Sequence, residues 1–180
     1  YNIFFVDDDS KDGSILKFKE IKNKNKNIDF YIRKNCKRDL TQSIIESLKF
    51  IKTKYIFVLD CDLQHDVNAI PKMISILIDE NYDLVIGSRD IKKINSTKRR
   101  YISFFGIWIT KLLGIQRLTD PLSGFFGLRT SDFINIAPKI QTKGYKILLS
   151  IIFFLSSDKK IKEFKINFYE RKYEKSKLNY

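Results

Sequence analysis

Two hydrophobic periods alternate along the first half of the chain. Short apolar runs rich in β-branched and aromatic residues, at 2–6, 29–32, 55–59 and 83–86, read as strands. Between them, 14–21, 40–51 and 69–79 read as helices; in 40–51, Ile44, Ile45, Leu48 and Ile51 fall on one helical face. Strand alternating with helix predicts an α/β fold, a mostly parallel sheet flanked by helices. After Ser88 the pattern loosens. The polar, basic stretch 90–100 reads as a mobile loop, 101–113 as an aromatic-rich helix, 123–128 as a strand and 145–155 as an apolar helix. The run 163–169 reads as a strand with Phe164, Ile166 and Phe168 alternating. There is no internal repeat, and the one low-complexity stretch, 22–27, reads as a solvated turn.

A length of 180 residues suits one domain, 1–180, with a sizeable core. The sequence opens at Tyr1 and enters a strand almost at once, so the expectation is an internal fragment with no signal peptide or edge element ahead of that strand. Lys and Arg outnumber Asp and Glu by 34 to 21, a net charge of +13 that suits an anionic partner such as nucleic acid, a phospholipid surface or a phosphorylated substrate. The basic residues are spread over 17–26, 49–54, 92–100 and 159–177, so a general surface bias reads as well as a dedicated patch. Cys36 and Cys61 are too few for a disulfide framework and fit a reducing, cytosolic setting. No apolar run reaches the roughly 18 residues of a membrane span.

The candidate chemistry is acidic. Asp7-Asp8-Asp9-Ser10-Lys11-Asp12-Gly13 follows the first strand, and Asp60-Cys61-Asp62-Leu63-Gln64-His65 follows the third. Ligands in open α/β sheets bind beyond the carboxyl ends of strands. Crowded carboxylates there need positive charge, and a divalent cation carrying a nucleotide diphosphate supplies it. If 60–64 runs extended, Asp60, Asp62 and Gln64 share a face at roughly 6.5 Å spacing and can share one cation. Mg²⁺ or Mn²⁺ suits such oxygen ligands. The plainer alternative is that Asp62 or Asp66 caps the helix marked by Pro71, and that Asp9 or Ser10 caps the helix from Ser14. Capping accounts for only one of the four aspartates of the first cluster, so Asp7, Asp8 and Asp12 are expected to want a partner.

These segments resemble family 2 glycosyltransferases. The first resembles the Asp-Asp-x-Ser-x-Asp-Gly-Thr/Ser segment and the second the Asp-Ala-Asp-Leu-Gln-His segment of that family. In family order come Ile86-Gly87-Ser88-Arg89, Asp120-Pro121-Leu122-Ser123-Gly124-Phe125-Phe126, Lys143-Gly144-Tyr145-Lys146-Ile147-Leu148-Leu149, and Glu170-Arg171 with Ser176-Lys177-Leu178. The set is most similar to the branch of dolichol-phosphate mannosyltransferases and other polyprenyl-phosphate glycosyltransferases.

The resemblance implies a glycosyltransferase A-type fold, lacking its first strand here, and inverting transfer of a sugar to a dolichyl or polyprenyl phosphate, most simply mannose from GDP-mannose. Such an acceptor is already ionised near pH 7, so no strong general base is needed. It further implies that Asp7, Asp8, Asp9, Asp12, Asp60 and Cys61 contact the donor nucleotide, with Arg171 and Lys177 on the leaving diphosphate. Asp60, Asp62 and Gln64 would hold Mg²⁺ or Mn²⁺; Arg89, Arg99 and Ser103 would receive the acceptor phosphate; Asp62, Arg89 and Arg99 would carry catalysis. The expected location is the cytosolic face of a membrane.

Each role has a bland counterpart. Lys98-Arg99-Arg100 also reads as a solvated face, His65 as a helix-entry hydrogen bond, Asp120 as a turn cap and 145–155 as core rather than a lipid groove. Three positions depart from the family pattern: Asp39 for the usual glycine, Ser150 for a glutamate, and Glu174-Lys175 for Gly-Glu. Glu174 adds a side chain and a negative charge to a loop that closes on phosphate. Rival readings are a polyprenyl-phosphate glucosyltransferase using UDP-glucose, another family 2 enzyme, and a basic nucleic-acid-binding domain. The last leaves the acidic clusters unexplained, so nucleic acid is not the expected partner.

Overall fold

The computed structural model describes residues 1–89, 118–141, 143–155 and 157–169. The expected loop 90–100 and helix 101–113 lie outside the described residues. The chain divides into two compact units, 1–52 with 141–147, and 53–140 with 148–180.

In the first unit, β1 (Ile3–Asp7) and β2 (Ile28–Ile32) pair in parallel with Ile3 opposite Ile28. They are joined by helix α1 (Ser14–Lys24). Gly13 sits at φ 91°, a left-handed conformation that glycine adopts freely, and the Ser14 N–H donates to Asp12 Oδ1, so the turn and the helix start are set locally. Phe18 of α1 stacks on Phe5 at 4.7 Å between ring centroids. Helix α2 (Leu40–Ser47) is capped by Asp39, whose side chain accepts from Gln42 N–H, and ends in the 3-10 turn Leu48–Phe50. Ile44 and Leu48 bury the face that the sequence period marks.

The second unit contains β3 (Tyr55–Val58), α3 (Ile70–Ile78), β4 (Leu84–Ser88), β5 (Phe126–Arg129), α4 (Thr130–Ile136), most of α5 (Ile147–Phe154) and β6 (Ile161–Lys165). The strand order is β3-β5-β4-β6. β5 runs antiparallel to both β3 and β4, while β4 and β6 are parallel. The α/β layering with a mixed sheet is as expected; the antiparallel share comes from β5, a strand from the second half that inserts between two first-half strands. Every residue of β4 is buried. Met73, Ile76 and Leu77 of α3 pack with Val85, Phe125 and Ile166 in the core.

Two strand starts and one helix in the second half differ notably from the sequence reading. Residues 123–125 do not join β5, because Ser123 Oγ donates to the Gly87 carbonyl at 2.7 Å and turns the chain before Phe126. β6 starts two residues early, where Ile161 meets Leu84, and the later apolar positions continue as Ile166 N–H to Ser88 O and an isolated bridge between Phe168 and His65. Helix α4 was not expected; its buried Thr130, Phe133 and Ile136 recur every third residue. In α5, Ile147, Leu148, Ile151 and Ile152 are buried, so this segment is core as the plainer reading has it, with Phe153 exposed.

Candidate active site

The first acidic cluster is held by its own unit. Asp7 Oδ1 accepts the Ser10 N–H at 2.6 Å, Asp9 pairs with Lys11 at 2.7 Å and Asp12 takes the Ser14 N–H at 3.0 Å. Asp8 reaches furthest. Its Oδ1 accepts from Arg33 Nη1 at 2.6 Å and Ser43 Oγ at 2.8 Å, and its Oδ2 from the Asp39 N–H at 2.8 Å. Arg33, 5% exposed, also binds Glu46 at 3.0 Å. Burial by itself would lift the Asp8 carboxyl; the hydrogen bonds from Arg33, Ser43 and Asp39 and the charge of Arg33 outweigh it and hold it below the ordinary value. Asp7, Asp8 and Asp12, expected to want a partner, each have one within the protein: a nearby backbone N–H for Asp7 and Asp12, and the distant Arg33, Ser43 and Asp39 for Asp8. Asp39, where glycine is usual, has φ −156°, so nothing there needs glycine; its carboxylate also accepts the Gly144 N–H at 3.1 Å.

The second cluster does not run extended. β3 ends at Val58, the chain bends over 61–63, and Leu63 stands in the left-handed region at φ 62°. Asp62 Oδ1 accepts the Gln64 N–H at 3.1 Å, and Asp66 caps the 3-10 turn Val67–Ala69 that leads into α3. Gln64 is buried, and its amide nitrogen donates to the Tyr169 carbonyl at 3.1 Å. The Asp60 side chain, in contrast, is 45% exposed. Its Oδ2 lies 3.7 Å from Nε2 of His65, which is buried with its ring 5.4 Å from those of both Phe125 and Phe168. Nδ1 of His65 is buried without a hydrogen-bond partner. Desolvation first, then Asp60 and Asp62, raise the Cys61 thiol, and both Cys36 and Cys61 are free.

Beside this turn stands an ion pair. Asp120 is fully buried, and it accepts from Arg89 Nε at 2.7 Å, Arg89 Nη2 at 2.8 Å and the Arg89 N–H at 3.1 Å. Burial works against the Arg89 charge, and Asp120 more than restores it, so the guanidinium stays protonated. Nε and Nη2 of Arg89 are thus engaged by Asp120, which makes Asp120 more than a turn cap. Glu163 of β6 fixes the other end of the loop, accepting from the N–H of Thr119 at 2.8 Å, Thr119 Oγ1 at 2.9 Å and the N–H of Asp120 at 2.8 Å. Sequence reasoning missed Arg33, Glu163 and Gly124; the only signals were a lone arginine after β2, a glutamate inside an alternating strand, and a glycine among aromatics. Arg99, Ser103, Arg171 and Lys177 lie outside the described residues.

Asp60 and Asp62 offer hard carboxylate oxygens, a set that fits Mg²⁺ or Mn²⁺ drawing the rest of its shell from water and phosphate. Among the described residues no group of three or more His, Cys, Asp or Glu is arranged to hold a metal.

Residues 1–143 match the model of the glycosyl transferase family 2 domain. The chain belongs to glycosyl transferase family 2. Within the family it is 31% identical over 156 residues to the dolichol-phosphate mannosyltransferase of Saccharomyces cerevisiae, spanning 83% of this chain and 57% of that protein. It is 33% identical over 162 residues to the dolichol-phosphate mannosyltransferase of Pyrococcus furiosus, spanning 84% and 44%. The chain spans about half the length of the curated relatives it matches. Glucosyl-3-phosphoglycerate synthase from Mycobacterium tuberculosis, solved with Mn²⁺, UDP and phosphoglyceric acid, shares the fold: TM-score 0.70 over 94% of this chain and 60% of that one, at 14% identity. For this family 2 chain the expected glycosyltransferase A-type fold is thereby met.

Proposed function

We propose that the protein transfers mannose from GDP-mannose to a dolichyl or polyprenyl phosphate, with inversion, at the cytosolic face of a membrane. The observation that carries this reading is Asp60: a solvent-facing carboxylate just past the end of β3, two residues before a second carboxylate, Asp62, in the turn, in a family whose similar members are named dolichol-phosphate mannosyltransferases. Asp60 and Asp62 would hold Mg²⁺ or Mn²⁺, which when bound supplies positive charge to the diphosphate of the donor. The chain's own residues align. Asp120 and Glu163 keep the Arg89 cation and the 119–120 backbone in place without needing to reorganise during the reaction, the condition under which electrostatic stabilisation is most effective. A phosphate acceptor needs no side chain to remove a proton, which suits the absence of a general base from this reading. By resemblance, Asp7, Asp8, Asp9 and Asp12 are proposed for the nucleotide, and Arg99, Ser103, Arg171 and Lys177 for the two phosphates.

Association with the membrane rests on the charge of +13 and the lipid acceptor; among the described residues no helix is long and apolar enough to cross a membrane. Co-sedimentation with anionic liposomes, lost at high salt, is the expected result, and no binding at low salt removes this part of the proposal. Transfer tested with GDP-mannose beside UDP-glucose decides the donor.

A further inference from the structure

We infer that Gly124 is a positioning residue whose missing side chain aims the Asp60 carboxylate; this rests on the reading that Asp60 helps to hold a divalent cation with a nucleotide diphosphate. Gly124 needs no glycine for its backbone. The glycines at positive φ among the described residues are Gly13 and Gly144, and Gly124 is not one of them. Space is the constraint instead: a Cβ at 124 would lie 3.0 Å from Asp60 Oδ2, 3.6 Å from Asp60 Cγ and 3.4 Å from His65 Nε2.

What would give way follows from how each neighbour is held. His65 is 6% exposed and flanked by Phe125 and Phe168, so its ring has little room. The backbone at 124 is pinned from both sides, by Ser123 Oγ on the Gly87 carbonyl and by the fully buried Phe125, whose N–H donates to Ser123 Oγ at 3.2 Å. Asp60 is the end of a short, exposed side chain and is the group free to turn away. A methyl at 124 therefore redirects a carboxylate and leaves the packing nearly untouched. Gly127 makes the contrast, because a Cβ there would drive into the Phe57 ring, a clash inside the sheet. Hard cations demand well-placed oxygens, and contacts that orient a ligating group are typically worth 10–100-fold in metal affinity.

The test is Mn²⁺ binding in the presence of GDP, read from the loss of the free Mn²⁺ electron paramagnetic resonance signal, with thermal melts alongside. The proteins are wild type, Gly124→Ala, Asp60→Ala and the double variant. The expected result is about tenfold weaker Mn²⁺ binding in Gly124→Ala at an unchanged melting temperature. In the Asp60→Ala background the added methyl should change neither quantity, as coupling through one carboxylate requires. Wild-type affinity in Gly124→Ala overturns the inference, and so does a methyl that lowers the melting temperature equally in both backgrounds. Mn²⁺ binding that ignores Asp60→Ala overturns the metal reading itself, and the inference with it.

Discussion

At Asp8 burial alone would make the carboxyl harder to ionise, and three groups around it, Arg33, Ser43 and the Asp39 N–H, reverse that. Its folded-state pKa lies below the ordinary value of 3.8, so in acid the native state binds fewer protons than the unfolded chain. The stability this supplies is complete above the unfolded pKa and is lost as pH falls through the folded one. In urea titrations at a series of pH values, Asp8→Asn should be less stable than wild type near neutrality, with the gap closing as pH falls below the ordinary carboxylate value; a gap that stays constant would contradict the assignment. Arg33→Met should destabilise by about 3 kcal/mol, since it leaves Asp8 and Glu46 without the cation that joins them; a loss under about 1 kcal/mol would show the network to be incidental. Gly127→Ala should lower the melting temperature markedly, with about 1–3 kcal/mol of overpacking against Phe57.

Among the elements, the first half was legible in the sequence because β1 to β4 and α1 to α3 each carry one clean hydrophobic period between polar turns. Helix α4 was not. It starts at the residue directly after β5 without a glycine, proline or side-chain cap to mark the change, and only the spacing of Thr130, Phe133 and Ile136 betrays it. The bend at 61–63 was hidden for a related reason: an Asp-x-Asp run alternates like a strand, yet Asp62 folds back on the Gln64 N–H and Leu63 takes a left-handed backbone. Asp39 is legible only afterwards, as the cap of α2. Asp39→Ala should cost about 1 kcal/mol and Asp39→Asn much less, read as shifts in the denaturant midpoint. Equal losses would mean that the carboxylate charge matters rather than the cap.

For the whole molecule, the family was readable from the order of its segments, and the candidate site only in part. Which residues are acidic, and at which strand ends, follows from the sequence; which of them face solvent depends on partners far along the chain. Asp8 meets Arg33, Ser43 and Asp39, Gln64 meets Tyr169, and Arg89 meets Asp120, and none of these pairings has a local pattern that announces it. Asp60 stands exposed beyond the end of β3, and the proposed chemistry turns on it. The most direct measurement is transfer of radiolabelled mannose from GDP-mannose to a short polyprenyl phosphate, with and without Mn²⁺, by wild type, Asp60→Asn and Asp62→Ala. Metal-dependent transfer that falls by at least about a hundredfold in both variants is the predicted result. Transfer that survives either substitution, or no transfer from GDP-mannose by wild type with Mn²⁺ present, would contradict it.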